Sequence, residues 1–167
     1  MALANDGVRV CCIRLAPYVY GRGGSGIKLF MNMWAQGDAG IYVDEGKART
    51  TSVHVEDAAR LYLLLAKKGR AGEEYNASYE THVTQGELAQ AICKSIGVPC
   101  NSIPYKAAVS AMGEFFATFL ALENRASNKK AKEEFGWEIM ADKGVLEEIE
   151  CGSYVKVAEE IKQKGAA

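Results

Sequence analysis

An α/β fold is predicted by three observations in these 167 residues. Short β-branched or aliphatic runs alternate with stretches whose apolar residues recur at helical spacing. Helix-start and helix-stop signals fall at the junctions between them. With 49% apolar and 25% charged residues, the composition suits one soluble domain able to bury a core.

Residues 8–15, VRVCCIRL, read as a buried strand that Pro17 closes, since proline cannot donate to a central ladder. A glycine-rich loop follows, and then a helix over 27–37, with Ile27, Phe30, Met31 and Trp34 on one face. Residues 40–46 form a short strand ending in a turn. Residues 49–69 run from a strand into a strong helix starting near Val55. Glu56 and Asp57 lie in its first turn, Lys67, Lys68 and Arg70 at its end, as the helix dipole favours, and Gly69 stops it. Another strand covers 74–78. Thr84 and Glu87 make a capping box that opens a helix ending at Gly97. Residues 101–104 are briefly extended and 105–122 helical, with Met112, Phe115, Phe116 and Phe119 giving an aromatic, core-type face. Ser127 caps a helix over 128–137, and 145–164 read as one more helix.

The formal charge of −1 and pI near 6.2 argue against a nucleic-acid partner, which would call for a basic stripe. No apolar run reaches the ~20 residues that span a bilayer, and the first ten residues lack the pattern of a signal peptide, so no membrane partner is expected. Five cysteines show no metal or disulfide spacing: Cys11 and Cys12 are adjacent, and Cys93, Cys100 and Cys151 are scattered. They read as reduced thiols of a cytoplasmic chain. No His/Glu ligand pair or Ser–His–Asp order suggests a metal site or a hydrolase.

The loop GRGGSG fits G-x-G-x-x-G through Gly21, Gly23 and Gly26. A strand before it, a helix after it and Asp44 about 20 residues on are what a dinucleotide cradle requires. Pro17 interrupts the strand, the helix is short for a crossover, and clean strand–helix units do not resume until Glu74. A turn entering a helix satisfies the same letters.

From Val8 to Trp137 the sequence resembles the C-terminal half of the extended short-chain dehydrogenase/reductases, the NAD(P)-dependent epimerase/dehydratase superfamily, and is most similar to its atypical, oxidoreductase-like branch. GVRVCCIRLAPYVYGRGG is similar to the family strand ending in Arg-x-x-x-x-Val-Tyr-Gly, and TTSVHVEDAARLYLLLAKKG to its Val-His-x-x-Asp-x-Ala segment. GEEYNAS with TQGELAQAI, and then SNKKAKEEFGWE, follow in family order. The resemblance implies the C-terminal part of a Rossmann-type sheet plus the substrate-binding lobe, with the N-terminal cofactor half absent. It implies one partial domain over 1–167: residues 8–26 supply the last strand and nicotinamide-side loop, and 27–167 the substrate lobe with returning strand–helix units. GRGGSG then follows the sixth strand, and the true phosphate loop lies before residue 1. Residues 1–10 would be the end of a preceding helix.

The family's chemistry is hydride transfer to or from NAD or NADP, assisted by Tyr-x-x-x-Lys. No tyrosine here has a lysine four residues on, so no catalytic residue is assigned. Cofactor binding by this chain alone is not expected. On the resemblance Pro17 and Tyr18 would flank the nicotinamide. Arg49 would contact substrate, although nucleotide-sugar epimerases place an arginine one position later, where Thr50 stands. His54 and Asp57 are structural anchors at a helix start, and His82 is a solvated turn residue. The implied activity is that of an NAD(P)-dependent oxidoreductase or epimerase on a small carbonyl, hydroxyl or sugar-like substrate, inactive alone. The alternatives are a non-catalytic protein pairing with itself or a full-length relative, and a minimal nucleotide-binding module using GRGGSG.

Overall fold

The computed structural model describes residues 7–165. In chain order the elements are β1 (Cys12–Leu15), β2 (Tyr18–Tyr20), α1 (Ser25–Gln36), β3 (Gly40–Val43), β4 (Ser52–His54), α2 (Val55–Lys68), β5 (Glu74–Ala77), α3 (Gln85–Ile96), β6 (Cys100–Ile103), α4 (Tyr105–Ala121), α5 (Lys129–Phe135), α6 (Val145–Cys151) and α7 (Tyr154–Gly165). The alternation is that of an α/β protein. The strands form three two-stranded parallel sheets, β1 with β5, β2 with β4 and β3 with β6.

Pro17 ends a strand, as expected, but a second one begins immediately after it. The Ala16 N–H donates to Ala77 O at 3.1 Å, whereas the Tyr18 N–H donates to Thr51 O at 3.3 Å. The chain changes partner strand between these residues, where a missing N–H has no cost. β1 is shorter than the 8–15 run suggests because Arg9 leaves the ladder. Its guanidinium donates to Leu65 O at 3.0 Å and Gly69 O at 2.6 Å, satisfying carbonyls at the C-terminus of α2. Of the stretch expected to end a preceding helix, residues 1–6 lie outside the described residues and 7–10 are a turn and irregular chain rather than helix.

The capping box forms: the Glu87 N–H donates to Thr84 Oγ1 at 3.1 Å, and the Thr84 N–H to Glu87 Oε2 at 2.8 Å. The Thr84 backbone bond holds the Glu87 carboxyl below its ordinary range. Gly97, at φ 80°, closes α3 in the left-handed region.

Three helix expectations need correction. Helix α4 turns sharply at Gly113 (φ 82°, ψ 160°), a conformation open to glycine. Helix α5 has Asn128, not Ser127, at its N-cap, although Ser127 Oγ still accepts from the Lys129 N–H at 3.2 Å. The tail is two helices, broken at Gly152–Ser153, where the Glu148 carboxylate turns back to accept the Ser153 N–H at 3.0 Å.

Two apolar clusters form the core. The larger lies among α1, α3, α6 and α7 and includes Phe30, Met31, Trp34, Leu88, Ile92 and Ile149. The smaller covers one face of the β1–β5 sheet with Leu61 and Leu65 of α2, Tyr75, Ala77 and Trp137.

Candidate functional site

The glycine loop joins β2 to α1. Gly21 (φ 103°) and Gly23 (φ 61°) adopt left-handed backbone, so the glycines are required by the path of the chain. Their donors are already engaged. The Gly21 N–H donates to Tyr154 Oη at 3.0 Å, and the Tyr154 hydroxyl donates to Gly24 O at 2.9 Å. The Gly23 N–H donates to Ser153 Oγ at 2.7 Å, and that of Gly24 to Gly21 O at 3.3 Å. A Cβ on Gly23 would sit 3.0 Å from Ser153 O and Val157 Cγ2. The loop is thus clamped by the α6–α7 break rather than left open around an anion. Asp44 is likewise turned elsewhere: β3 pairs with β6, and Asp44 Oδ1 accepts the Tyr105 N–H at 3.2 Å at the start of α4. Within GRGGSG, the N–H groups of Gly21, Gly23 and Gly24 are therefore taken up inside the protein.

Pro17 is exposed beyond the carboxyl end of β1. Tyr18, expected beside it on the nicotinamide, is buried in the larger cluster. Its hydroxyl donates to Gln85 Oε1 at 2.9 Å and its ring lies edge-on to Phe119 at 5.3 Å. Burial raises its phenol far above the ordinary tyrosine range. Arg49 is half-exposed with its Nε 4.0 Å from Glu123 Oε1.

His54 is the N-cap of α2, its Nδ1 accepting the Glu56 N–H at 3.3 Å. The ring packs under Gly21 and edge-on to Tyr20 at 5.3 Å. Asp57 is fully buried. Its carboxylate accepts the N–H groups of Met140 (3.0 Å) and Ala141 (3.3 Å) and pairs with Arg60, while its carbonyl accepts Trp137 Nε1–H at 3.0 Å. It ties α2 to the segment ahead of α6. His82 is exposed.

Three segments converge beyond the carboxyl ends of β1 and β5: 49–52, 78–80 and 124–128. The Asn124 N–H donates to Arg49 O at 2.8 Å, and Thr51 Oγ1 donates to Asn124 O and accepts the Ala126 N–H. Tyr79 N–H donates to Ser52 O, and Asn128 Nδ2–H to Ser78 O. Four buried side-chain polar atoms lack a hydrogen-bond partner among the described residues. Three of them, Thr50 Oγ1, Ser78 Oγ and Asn124 Oδ1, belong to these segments, and the fourth is Trp34 Nε1. Buried polar groups are ordinarily satisfied, so these three sealed atoms make the crossing of the segments unusually polar. An open depression of about 430 Å³ adjoins it, lined by Tyr79, Thr81, Arg125, Ala126, Ser127 and Asn128. Its exposed Arg125 has no ion pair among the described residues.

The sequence did not point to Ser153, Tyr154, Gln85, Asn124 or Arg125. The partners of the first three lie 67 to 133 residues away, with no local pattern to announce them. Arg125 carried one usable signal, a cation in the link between two helices. Among the described residues, no group of three or more His, Cys, Asp or Glu side chains could hold a metal ion, and no helix is long and apolar enough to cross a membrane.

No family model matches the chain. An uncharacterized protein of Schizosaccharomyces pombe is 30% identical over 138 residues, 82% of this chain and 46% of that protein. The chain spans about half the length of the curated relatives it matches. Among solved structures, a dTDP-glucose 4,6-dehydratase of Streptomyces venezuelae with NAD and TYD bound superposes with a TM-score of 0.68 at 20% identity. That match covers 95% of this chain and 46% of the other. A human epimerase-family protein with NADPH gives 0.65 at 17% identity, covering 92% and 50%. The chain is structurally similar to the NAD(P)-dependent epimerase/dehydratase family, the extended short-chain dehydrogenase/reductases, over about half the length of those chains.

Proposed function

We propose, from that shared fold, that the 167 residues are the last strands and substrate lobe of an NAD(P)-dependent oxidoreductase or epimerase. The substrate is a small carbonyl, hydroxyl or sugar-like molecule, and the residues do not turn it over alone. The observation that carries this reading is the polar crossroads of Thr50, Ser78 and Asn124 outside the carboxyl ends of two parallel strands. In open α/β sheets that is where ligands bind. Those three atoms are sealed, and the open depression beside them offers Ser127, Asn128 and Arg125 to a ligand rich in oxygen, with Arg49 the other cation near it. Thr50, at the position where nucleotide-sugar epimerases place their arginine, argues against a nucleotide diphosphate.

The cofactor would contribute a hydride donor or acceptor, with Pro17 at its nicotinamide end. Its phosphates would find a cradle outside these residues, because the Gly21 and Gly23 N–H groups of GRGGSG are bonded to Tyr154 and Ser153. A two-stranded parallel sheet is marginal by itself, and β1 pairs only with β5 among the described residues. Its outer edge is therefore the seam to the cofactor half. The five free cysteines support a cytoplasmic setting.

Co-expression tests this. The chain is produced with the part of the S. pombe relative outside the matched region, and NADPH or NADH is followed through gel filtration. Retention of dinucleotide only when both pieces are present is the expected result. Retention by the chain alone, or by neither combination, would overturn the proposal. The free β1 edge also supports a second reading, self-association through that edge. The same column would show it as a cofactor-free oligomer.

A further inference from the structure

Cys93 lies in the last turn of α3 and Cys100 opens β6, with the turn 94–99 between them. Gly97 and Val98 fold this turn back by donating to Cys93 O at 2.8 and 3.1 Å. Across the β3–β6 ladder, Cys100 is the direct partner of Gly40, and neighbouring strands lie only about 4.8 Å apart. A side chain at Gly40 would collide with Cys93 Sγ, so that sulfur occupies the space over Gly40. The two thiols therefore meet around one glycine. The neighbouring Cys100 raises the Cys93 thiol, with burial adding to it, and Cys93 lowers that of Cys100. Cys93 is buried and Cys100 half-buried. The other cysteines lack this arrangement. Cys11 and Cys12 are adjacent in sequence, which strand geometry turns to opposite faces, and the exposed Cys151 donates to Glu147 O at 3.3 Å on its own helix.

We propose that Cys93 and Cys100 form a dithiol site that small hydroperoxides oxidise to an intrachain disulfide, stapling α3 to β6. The Cys100 thiolate attacks one peroxide oxygen, the O–O bond breaks, and the departing oxygen takes a proton to leave as water or an alcohol. Cys100 is then a sulfenic acid. The Cys93 sulfur attacks the Cys100 sulfur, the S–O bond breaks, and the leaving hydroxide carries away the Cys93 proton as water. Two thiols and one hydroperoxide become one disulfide, one alcohol or water, and one further water. The order follows from exposure and thiolate character, which favour Cys100 as the first nucleophile.

The test treats the full chain with hydrogen peroxide, alkylates the remaining thiols and maps peptides without reductant. The expected result is a linked pair bearing Cys93 and Cys100, lighter by two hydrogens and released by dithiothreitol. In Cys93→Ala, dimedone should trap a sulfenic acid at Cys100. In Cys100→Ala, Cys93 should remain a thiol. Circular dichroism of each variant checks that it folds. If Cys93 and Cys100 in the wild-type chain both stay alkylatable while Cys151 is oxidised, or if either links to a different cysteine, the proposal is wrong.

Discussion

The lobe around α1, α3, α6 and α7 and the sheet made by β1 and β5 are packed to different standards. In the lobe, Ile27, Met31, Leu88, Ile92, Ile149 and Tyr154 are all within 1% of full burial, and the helices seal it from several sides. The β1–β5 sheet is covered by α2, Tyr75 and Trp137 on one face only. Its other face carries the exposed Arg14–Glu74 ion pair, and Leu15, at the end of β1, is 45% exposed. Parallel sheets are ordinarily buried on both faces. The contrast sets a closed lobe beside a two-stranded sheet covered on one face, and the glycine loop belongs to the first: Ser153 and Tyr154 close it from the lobe side.

Substitutions that respect or cross this division should behave differently. The largest effect is expected at the latch between the two regions. Asp57→Ala removes the acceptor for two backbone N–H groups and the partner of Arg60, and should lower stability by about 4 kcal/mol. Urea unfolding reads this directly, and a change below 1 kcal/mol would contradict the anchor role. Next, Ile149→Ala should cost about 3 kcal/mol by opening a cavity in the closed lobe, against less than about 0.5 kcal/mol for Leu15→Ala at the open edge. Equal losses would erase the distinction.

Tyr154→Phe should cost about 2 kcal/mol, because the N–H of Gly21 and the carbonyl of Gly24 lose their partner. It also has a pH signature. Burial raises the phenols of Tyr18, Tyr20 and Tyr154, so the fold favours their neutral forms and the unfolded chain releases those protons first. The stability they contribute is complete below about pH 10 and declines as pH rises further. Urea midpoints measured across that range should fall, and fall less steeply in Tyr154→Phe. The smallest contrast sits between neighbours. Thr51→Val should lose about 1 kcal/mol with its two hydrogen bonds, whereas Thr50→Val removes a buried hydroxyl that has no protein partner and should be neutral or stabilising.

What the sequence made legible was local. The capping box at Thr84 and Glu87, the stop at Gly97 and the acidic first turn of α2 depend on residues within one helical turn of each other, and all are present. β2 was hidden because Pro17 reads as a terminator, and nothing nearby reveals that the chain is changing partner strands. The break at Gly152–Ser153 was hidden because helical periodicity runs through it; the Glu148 carboxylate that stabilises it is a tertiary feature. The same holds for the site. G-x-G-x-x-G is visible in the letters, but its filled donors depend on side chains 130 and 133 residues away. The polar crossroads joins three segments that no spacing rule connects.

The most direct measurement is a fluorescence titration of NADPH and NADH into the folded 167-residue chain, alongside Gly24→Val. Gly24 has ordinary extended backbone and open space around it, so valine there leaves the loop's packing intact while obstructing a phosphate. No saturable binding by either protein is expected, since the N–H groups of Gly21, Gly23 and Gly24 already have partners. Saturable binding by the wild type that is lost in Gly24→Val would show GRGGSG to be a working cradle, and the cofactor half would not be needed to explain this chain.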